Sequence, residues 1–305
     1  MLEIKQTFFS SIIYNVCNKN FYFSIKFFEL EQFSNMNILS ITLVLYHNDL
    51  STITKTIKSC LQDVSSEHIY VVDNSKDLKL KKIKSLFGVN YLKNKNKGFG
   101  SGHNKAFKEF KIIKNYKYNL VINPDIIFKK NVLKKLVRYL ENNPQVGALM
   151  PQIMNFDGSI QFARRCLPTP EYLIFKRLFP NSRLSKDYEL RDFEPSKPIE
   201  LIGICGCFMI IRLDIIKKIK LFDERFFMYF EDFDLARRIS LRSKVIYYPL
   251  ERVYHEGQRA HRANLKLLYH LILSAVKYFL KWGIKDKYTN QTNMKLLHMM
   301  QKNSL

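Results

Sequence analysis

The chain lacks the metal-cluster and nucleotide signatures that identify many proteins at once. Its five cysteines, Cys17, Cys60, Cys166, Cys205 and Cys207, form no CxxC pair and no Cys/His cluster with zinc-finger spacing, which argues against a structural zinc. So few thiols in such an arrangement fit a reducing cytosol. No stretch reaches the ~18 uninterrupted apolar residues that a transmembrane helix needs. The longest uncharged run near the C-terminus, residues 267–276, is interrupted by His270. No Gly-Lys-Ser/Thr closes a phosphate loop, and no GxGxxG follows the first apolar strand, so neither a Walker loop nor a dinucleotide fingerprint is present. Residues 1–36 lack the basic start, compact apolar core and small-residue cleavage site of a signal peptide. The expectation is a cytoplasmic protein, free or peripheral on the inner face of the plasma membrane.

What is present is basic. Lys and Arg number 50 against 27 Asp and Glu, a net charge of +23, which attracts nucleic acid, a nucleotide diphosphate or an anionic membrane surface. Nucleic acid is the poorest fit, because the basic residues are spread along the chain and no helix-turn-helix, RNA-binding sheet signature or zinc module appears. At 305 residues and 47% hydrophobic content, the chain can build one large α/β domain with accessory helices. The organised pattern begins after Met36. The aromatic-rich residues 1–36 are either upstream of the true start or a docking extension.

Residues 37–46 form a continuous β-branched run that reads as a buried parallel strand, and residues 51–61 carry helical spacing at Ile53, Ile57 and Leu61. Strand-like runs recur at 69–72, 89–92 and 119–122, separated by helix-like stretches. Such alternation implies a doubly wound, mostly parallel sheet. Ligands of these sheets sit beyond the carboxyl ends of the strands. Here those ends are Tyr46-His47-Asn48-Asp49, Asp73-Asn74-Ser75 and Asn123-Pro124-Asp125. Polar, carboxylate-bearing ends suggest a ribose or diphosphate site; turn capping is the plainer reading of any one of them. The turn at residues 96–104, with Gly98, Gly100 and Gly102, resembles a phosphate cradle ahead of a helix.

Beyond Asp125, a helix is expected at about 131–141 and a mobile polar loop at 181–198. Residues 199–211 read as one strand with close backbone approach at Gly203 and Gly206. Asp125, at a strand end, suits a divalent cation that neutralises a departing diphosphate, and His255 is the candidate second ligand. The plainer reading of His255 is a histidine with a structural hydrogen bond. Asp232 lies in a run of acids, with Glu231 and Asp234, that opens a helix. It is the candidate general base; the helix dipole alone also accounts for acids there. Residues 261–285 form a basic amphipathic helix, which can lie on an anionic membrane, pack on the domain, or do both.

Taken together, these elements resemble glycosyltransferase family 2, with the GT-A fold, over residues 36–285. The resemblance rests on the strand at 42–46, Val71-Val72-Asp73-Asn74-Ser75, the glycine turn, Asn123-Pro124-Asp125, and residues 229–235 around Asp232. More narrowly, Asn123-Pro124-Asp125, Asp157-Gly158-Ser159-Ile160-Gln161, Arg164-Arg165 with Pro168-Thr169, and His255-Glu256 resemble bacterial rhamnosyltransferases of cell-surface polysaccharide assembly.

That resemblance implies a GT-A domain over 37–258, with a nucleotide-binding half (37–130) and an acceptor-side half (131–258), followed by a helical segment (259–305). It implies that Tyr46, Asp73 and Ser75 hold base and ribose, and that Asn96, Gly98 and Asn104 lie along the ribose-diphosphate. Asp125 and His255 would bind Mg²⁺ or Mn²⁺, Asp232 would be the base, and Arg164, Arg165 and Glu231 would face the acceptor. The family's metal motif is often Asp-x-Asp, and here Asn123 replaces the first acid. The reaction implied is inverting sugar transfer, from dTDP-rhamnose or another nucleotide sugar such as a UDP-hexose, to a lipid-linked glycan. A non-catalytic relative that binds sugar nucleotides is the competing reading.

Overall fold

Leu39–Leu45 is buried along its whole length, as a strand covered on both faces requires. In the computed structural model, which describes residues 35–257 and 265–303, it forms β1 of a nine-stranded sheet. The other strands are β2 (Ile69–Asp73), β3 (Asn90–Lys93), β4 (Tyr118–Ile122), β5 (Ile126–Phe128), β6 (Val146–Met154), β7 (Ile199–Glu200), β8 (Phe208–Arg212) and β9 (Lys244–His255). The helices are α1 (Leu50–Leu61), α2 (Lys82–Phe87), α3 (Phe99–Glu109), α4 (Ile112–Asn115), α5 (Val132–Asn142), α6 (Pro170–Leu178), α7 (Arg183–Tyr188), α8 (Leu213–Ile219), α9 (Glu231–Ser240), α10 (Leu265–Trp282) and α11 (Lys287–Asn303). Expectations for residues 1–34 and 258–264 lie outside the described residues.

The strand order is β3-β2-β1-β4-β8-β6-β9-β5, with β7 also on β9. The β3-β2-β1-β4 half is parallel throughout. Beyond it, β8 runs antiparallel to β4 and β6, β9 is parallel to β6, and β5 and β7 are antiparallel to β9. The register decides where chemistry can occur. Leu45 pairs with Asp73, Leu43 with Ile122, Ile122 with Phe208, and Ile126 with His255. The carboxyl ends of β1, β2, β4 and β9 therefore meet at one edge, with the start of β8 beside them.

Beneath the sheet edge a set of buried polar side chains is paired, as burial favours. Asn119 accepts from Ser40 and donates to Thr42, whose hydroxyl also meets His103 Nδ1 at 2.9 Å. Asp49 caps α1 by accepting from the Ser51 and Thr52 amides, and Thr56 of that helix donates to the Pro124 carbonyl at 2.7 Å. One helix thus pins the turn that carries Asp125.

Two stretches fold otherwise than their sequence suggests. Residues 199–211 are two strands separated by a loop, because the Gly203 backbone presses on Arg165, where a Cβ would come within 1.8 Å of the Arg165 carbonyl oxygen. The polar stretch 181–198 contains α7, capped by Ser182, whose hydroxyl accepts from the Ser185 amide.

Candidate active site

Asp125 and His255 are brought together by the β5–β9 pairing, with His255 Nε2 3.2 Å from Asp125 Oδ1. The Glu256 amide donates to the Asp125 carbonyl and locks the two chain segments. His255 is oriented from behind. Gln161 Nε2 donates to Asn155 Oδ1 at 3.1 Å, so Gln161 Oε1 faces the ring and accepts from His255 Nδ1 at 2.7 Å. That bond leaves Nε2 facing Asp125, where it donates to the carboxylate when the ring is charged and would be the free nitrogen offered to a metal when the ring is neutral. Burial alone would raise the Asp125 pKa, but the bond and charge of His255 outweigh it and hold the carboxyl below its usual range. Conversely, burial disfavours the His255 cation, and Asp125 overcomes this and raises its pKa. Asn123 Nδ2 lies 3.4 Å from His255 Nε2. Among the described residues no group of three or more His, Cys, Asp or Glu side chains could surround a metal. A cation on Asp125 and His255 therefore needs substrate oxygens and water, as Mg²⁺ commonly takes.

Asp232 enters the same edge from α9. Tyr229 and Phe230 both take left-handed backbone angles just before it, a strained entry of the kind that clusters at functional sites. Its Oδ2 accepts from the Gly206 amide at 3.0 Å and its Oδ1 from the Phe233 amide at 2.8 Å. One residue further on, the Cys207 carbonyl accepts from the Asn123 amide at 2.8 Å. The Cys205-Gly206-Cys207 segment thus bridges the Asp232 carboxylate and the Asn123-Pro124-Asp125 turn. Burial pushes Asp232 above the usual carboxylate range, against the pull of those amides and of Arg165. Neighbouring Glu231 is pushed well above its usual range, first by burial and then by the Asp232 charge, and its Oε2 has no hydrogen-bond partner. Of this pair Glu231 is the more strongly raised, so Asp232 is the more readily ionised. Asp234 is structural: it binds Arg238, Trp282 and Lys281.

The remaining residues separate into lining and scaffold. Tyr46 stands exposed at the end of β1, and Ser75 Oγ accepts from the His47 amide. Asp73 is fully buried; burial opposes its charge, but bonds from Ser75, Tyr91 and Lys93 more than offset that and lower its pKa. Asn96 accepts from the Gly98 amide.

The glycine turn has a packing role. Gly98, at φ +110°, lies against Phe227, whose carbonyl accepts the Phe99 amide that would otherwise head α3, and a Cβ on Gly98 would come within 2.2 Å of that oxygen. Asn104 is likewise committed elsewhere, exchanging hydrogen bonds with the Phe222 backbone and donating to Glu224. Arg164 is buried and donates to the Tyr247 hydroxyl and to the Leu190 and Phe193 carbonyls, whereas Arg165 lies in the field of Asp232 and Glu189. Two site residues escaped the sequence reading, Gln161 and Gly206. Gln161 lies in the stretch that resembles rhamnosyltransferases, and Gly206 is legible in the sequence only as a close backbone approach.

Residues 41–220 match the sequence profile of Glycosyl transferase family 2. The chain belongs to this family. Among relatives of this glycosyltransferase, Rhamnosyltransferase WbbL of Escherichia coli (strain K12) is 26% identical over 232 residues, covering 73% of this chain and 84% of that protein. The N-acetylglucosaminyl-diphospho-decaprenol L-rhamnosyltransferase of Mycobacterium tuberculosis (strain CDC 1551 / Oshkosh) is also 26% identical, over 61% of this chain and 64% of its own length. The GT-A fold is shared with solved structures. GalNAc-T7, crystallised with UDP, GalNAc and Mn²⁺, aligns over 71% of this chain and 43% of its own (TM-score 0.52, 17% identity). S. aureus TarS aligns over 79% of this chain and 39% of its own (TM-score 0.50, 17% identity).

Proposed function

We propose that this glycosyltransferase moves rhamnose from dTDP-rhamnose, with inversion, onto a lipid-linked glycan of the cell envelope. The observation that carries the mechanism is the Cys205-Gly206-Cys207 bridge, which sets a raised-pKa aspartate and an Asp–His pair on one sheet edge. The donor lies over the ends of β1, β2 and β4, with Tyr46, Asp73 and Ser75 toward base and ribose and Asn96 and Asn123 along the ribose-diphosphate. Asp125 and His255 would hold Mg²⁺ or Mn²⁺, whose charge neutralises the departing diphosphate. Gln161 fixes the His255 tautomer for that purpose. Asp232 takes the acceptor hydroxyl proton as that oxygen attacks the anomeric carbon from the face opposite the leaving group. Arg165 and Glu231 border the acceptor. The choice of rhamnose is supported by the names of the two relatives and by the shared Asn123-Pro124-Asp125, Gln161 and His255 stretches.

The experiment is a donor screen: nucleotide release and glycan transfer from dTDP-rhamnose, UDP-glucose, UDP-galactose and UDP-N-acetylglucosamine, with Mg²⁺ or EDTA, in the presence of membrane-extracted acceptor. Transfer from dTDP-rhamnose is expected, with Asp232→Asn reducing it about 10²–10⁴-fold while dTDP still raises the melting temperature. Transfer only from a UDP-sugar would overturn the donor. Silence with every donor from folded protein would overturn the enzymatic reading.

A further inference from the structure

Near Asp232, the chain gathers a cluster of cations around a single carboxylate. Lys176 Nζ lies 2.7 Å from Glu189 Oε1, and Arg191 Nε donates to Glu189 Oε2 at 2.7 Å. Arg165 lies near enough for its charge to reach both Glu189 and Asp232. Two cations thus converge on Glu189, with a third, Arg165, close enough for its charge to act on Glu189 and Lys176. The cluster is built and not a solvated fringe: Arg191 stacks on Phe162, Lys176 on Tyr188, and Tyr188 on Tyr172. Burial and then the nearby Arg165 pull Lys176 down to about 7, despite its contact with Glu189. An arriving anion would restore its charge.

Directly beyond Lys176, α6 ends in an apolar patch. Ile174, Leu178 and the following Phe179 are 54%, 63% and 56% exposed. From Asp232 through Arg165 to Lys176 and on along α6, the chain therefore presents carboxylate, cations, then exposed hydrocarbon. A glycan whose anchor is a phosphate joined to a lipid has the same order: reacting sugar, anionic link, apolar tail.

We propose that Arg165, Lys176 and Arg191 form a subsite for the phosphate that joins the acceptor glycan to its lipid, and that Ile174, Leu178 and Phe179 receive the first hydrocarbon units. This rests on the lipid-linked acceptor proposed above and assigns the residues that recognise it.

Farnesyl diphosphate and inorganic pyrophosphate serve as probes for calorimetry on the full chain. Farnesyl diphosphate should bind at least tenfold more tightly than pyrophosphate and resist displacement by saturating dTDP. Lys176→Gln/Arg191→Gln should weaken it at least tenfold, and Leu178→Ser/Phe179→Ser should bring it to the pyrophosphate level. The dTDP-induced melting shift should persist in both variants, which also shows that they are folded. Binding at pH 7.5 should take up protons, read as a dependence of the enthalpy on buffer ionisation, and Lys176→Gln should abolish that dependence. Displacement by dTDP, indifference to Lys176→Gln/Arg191→Gln, equal affinity for the two probes or no binding each overturns the subsite. Failure of dTDP itself to bind the wild-type protein would count against the donor reading and leaves this test standing.

Discussion

Asp232 holds its proton more tightly than a free aspartate because its environment removes water faster than the Gly206 and Phe233 amides and Arg165 restore charge stabilisation. A base works only when deprotonated, so activity must fall as pH drops through its pKa. The acid limb of kcat/KM should therefore lie above the value of about 3.9 for an ordinary aspartate. A pH–rate profile with its limb at or below that value would remove Asp232 from the role. At this scale the sequence was most informative where an acid ended a strand or opened a helix. Asp125, His255 and Asp232 could be picked out because each stands at such a place. It was least informative about partners far along the chain. Gln161 and His255 are 94 residues apart, and nothing local to either marks the bond between them.

At the scale of elements, α9 is held by the C-terminal helices. Arg237 is almost wholly buried; it donates to Thr289 at 3.1 Å, pairs with Asp286, and lies 4.2 Å from the centre of the Trp282 ring. Lys281 bridges Asp223 and Asp234. Removing one partner from such a buried set strands the others, so Arg237→Ala should destabilise the fold by about 3 kcal/mol. Urea unfolding measures this, and a loss under about 1 kcal/mol would show that the clamp is dispensable. The parallel half of the sheet was legible because β1, β2 and β4 are short, apolar-rich runs, each buried along its whole length. The division between β7 and β8 was not, because an apolar stretch looks the same whether it stays in the sheet or leaves it at Gly203. The helix α6 was hidden for a related reason: its outer face is apolar but faces solvent, so periodicity could not identify what it packs against.

For the molecule as a whole, α10 packs one face on the domain and leaves the other open. Ser274 donates to the Met228 carbonyl, His270 stacks on Phe227, and Tyr278 is buried against Phe230. The opposite face carries Leu265, Tyr269, Ile272, Val276 and Leu280, all exposed. Among the described residues no helix is long and apolar enough to cross a membrane. With a net charge of +23, that face should hold the protein on vesicles containing anionic lipid. Flotation should show binding that weakens between 0.1 and 0.5 M salt and is lost in Ile272→Glu/Leu280→Glu, positions exposed enough to leave the fold intact. Salt-insensitive binding, or binding that survives the double change, would contradict it.

Trp282 is the chain's single tryptophan. Its indole nitrogen donates to Asp234 at 2.9 Å, while Arg237 lies over the ring. Intrinsic fluorescence from this protein therefore reports one junction, where the helix that carries Asp232 meets the helix that would rest on lipid. The protein carries its own optical gauge of whether membrane contact is felt at the active site, readable without a label.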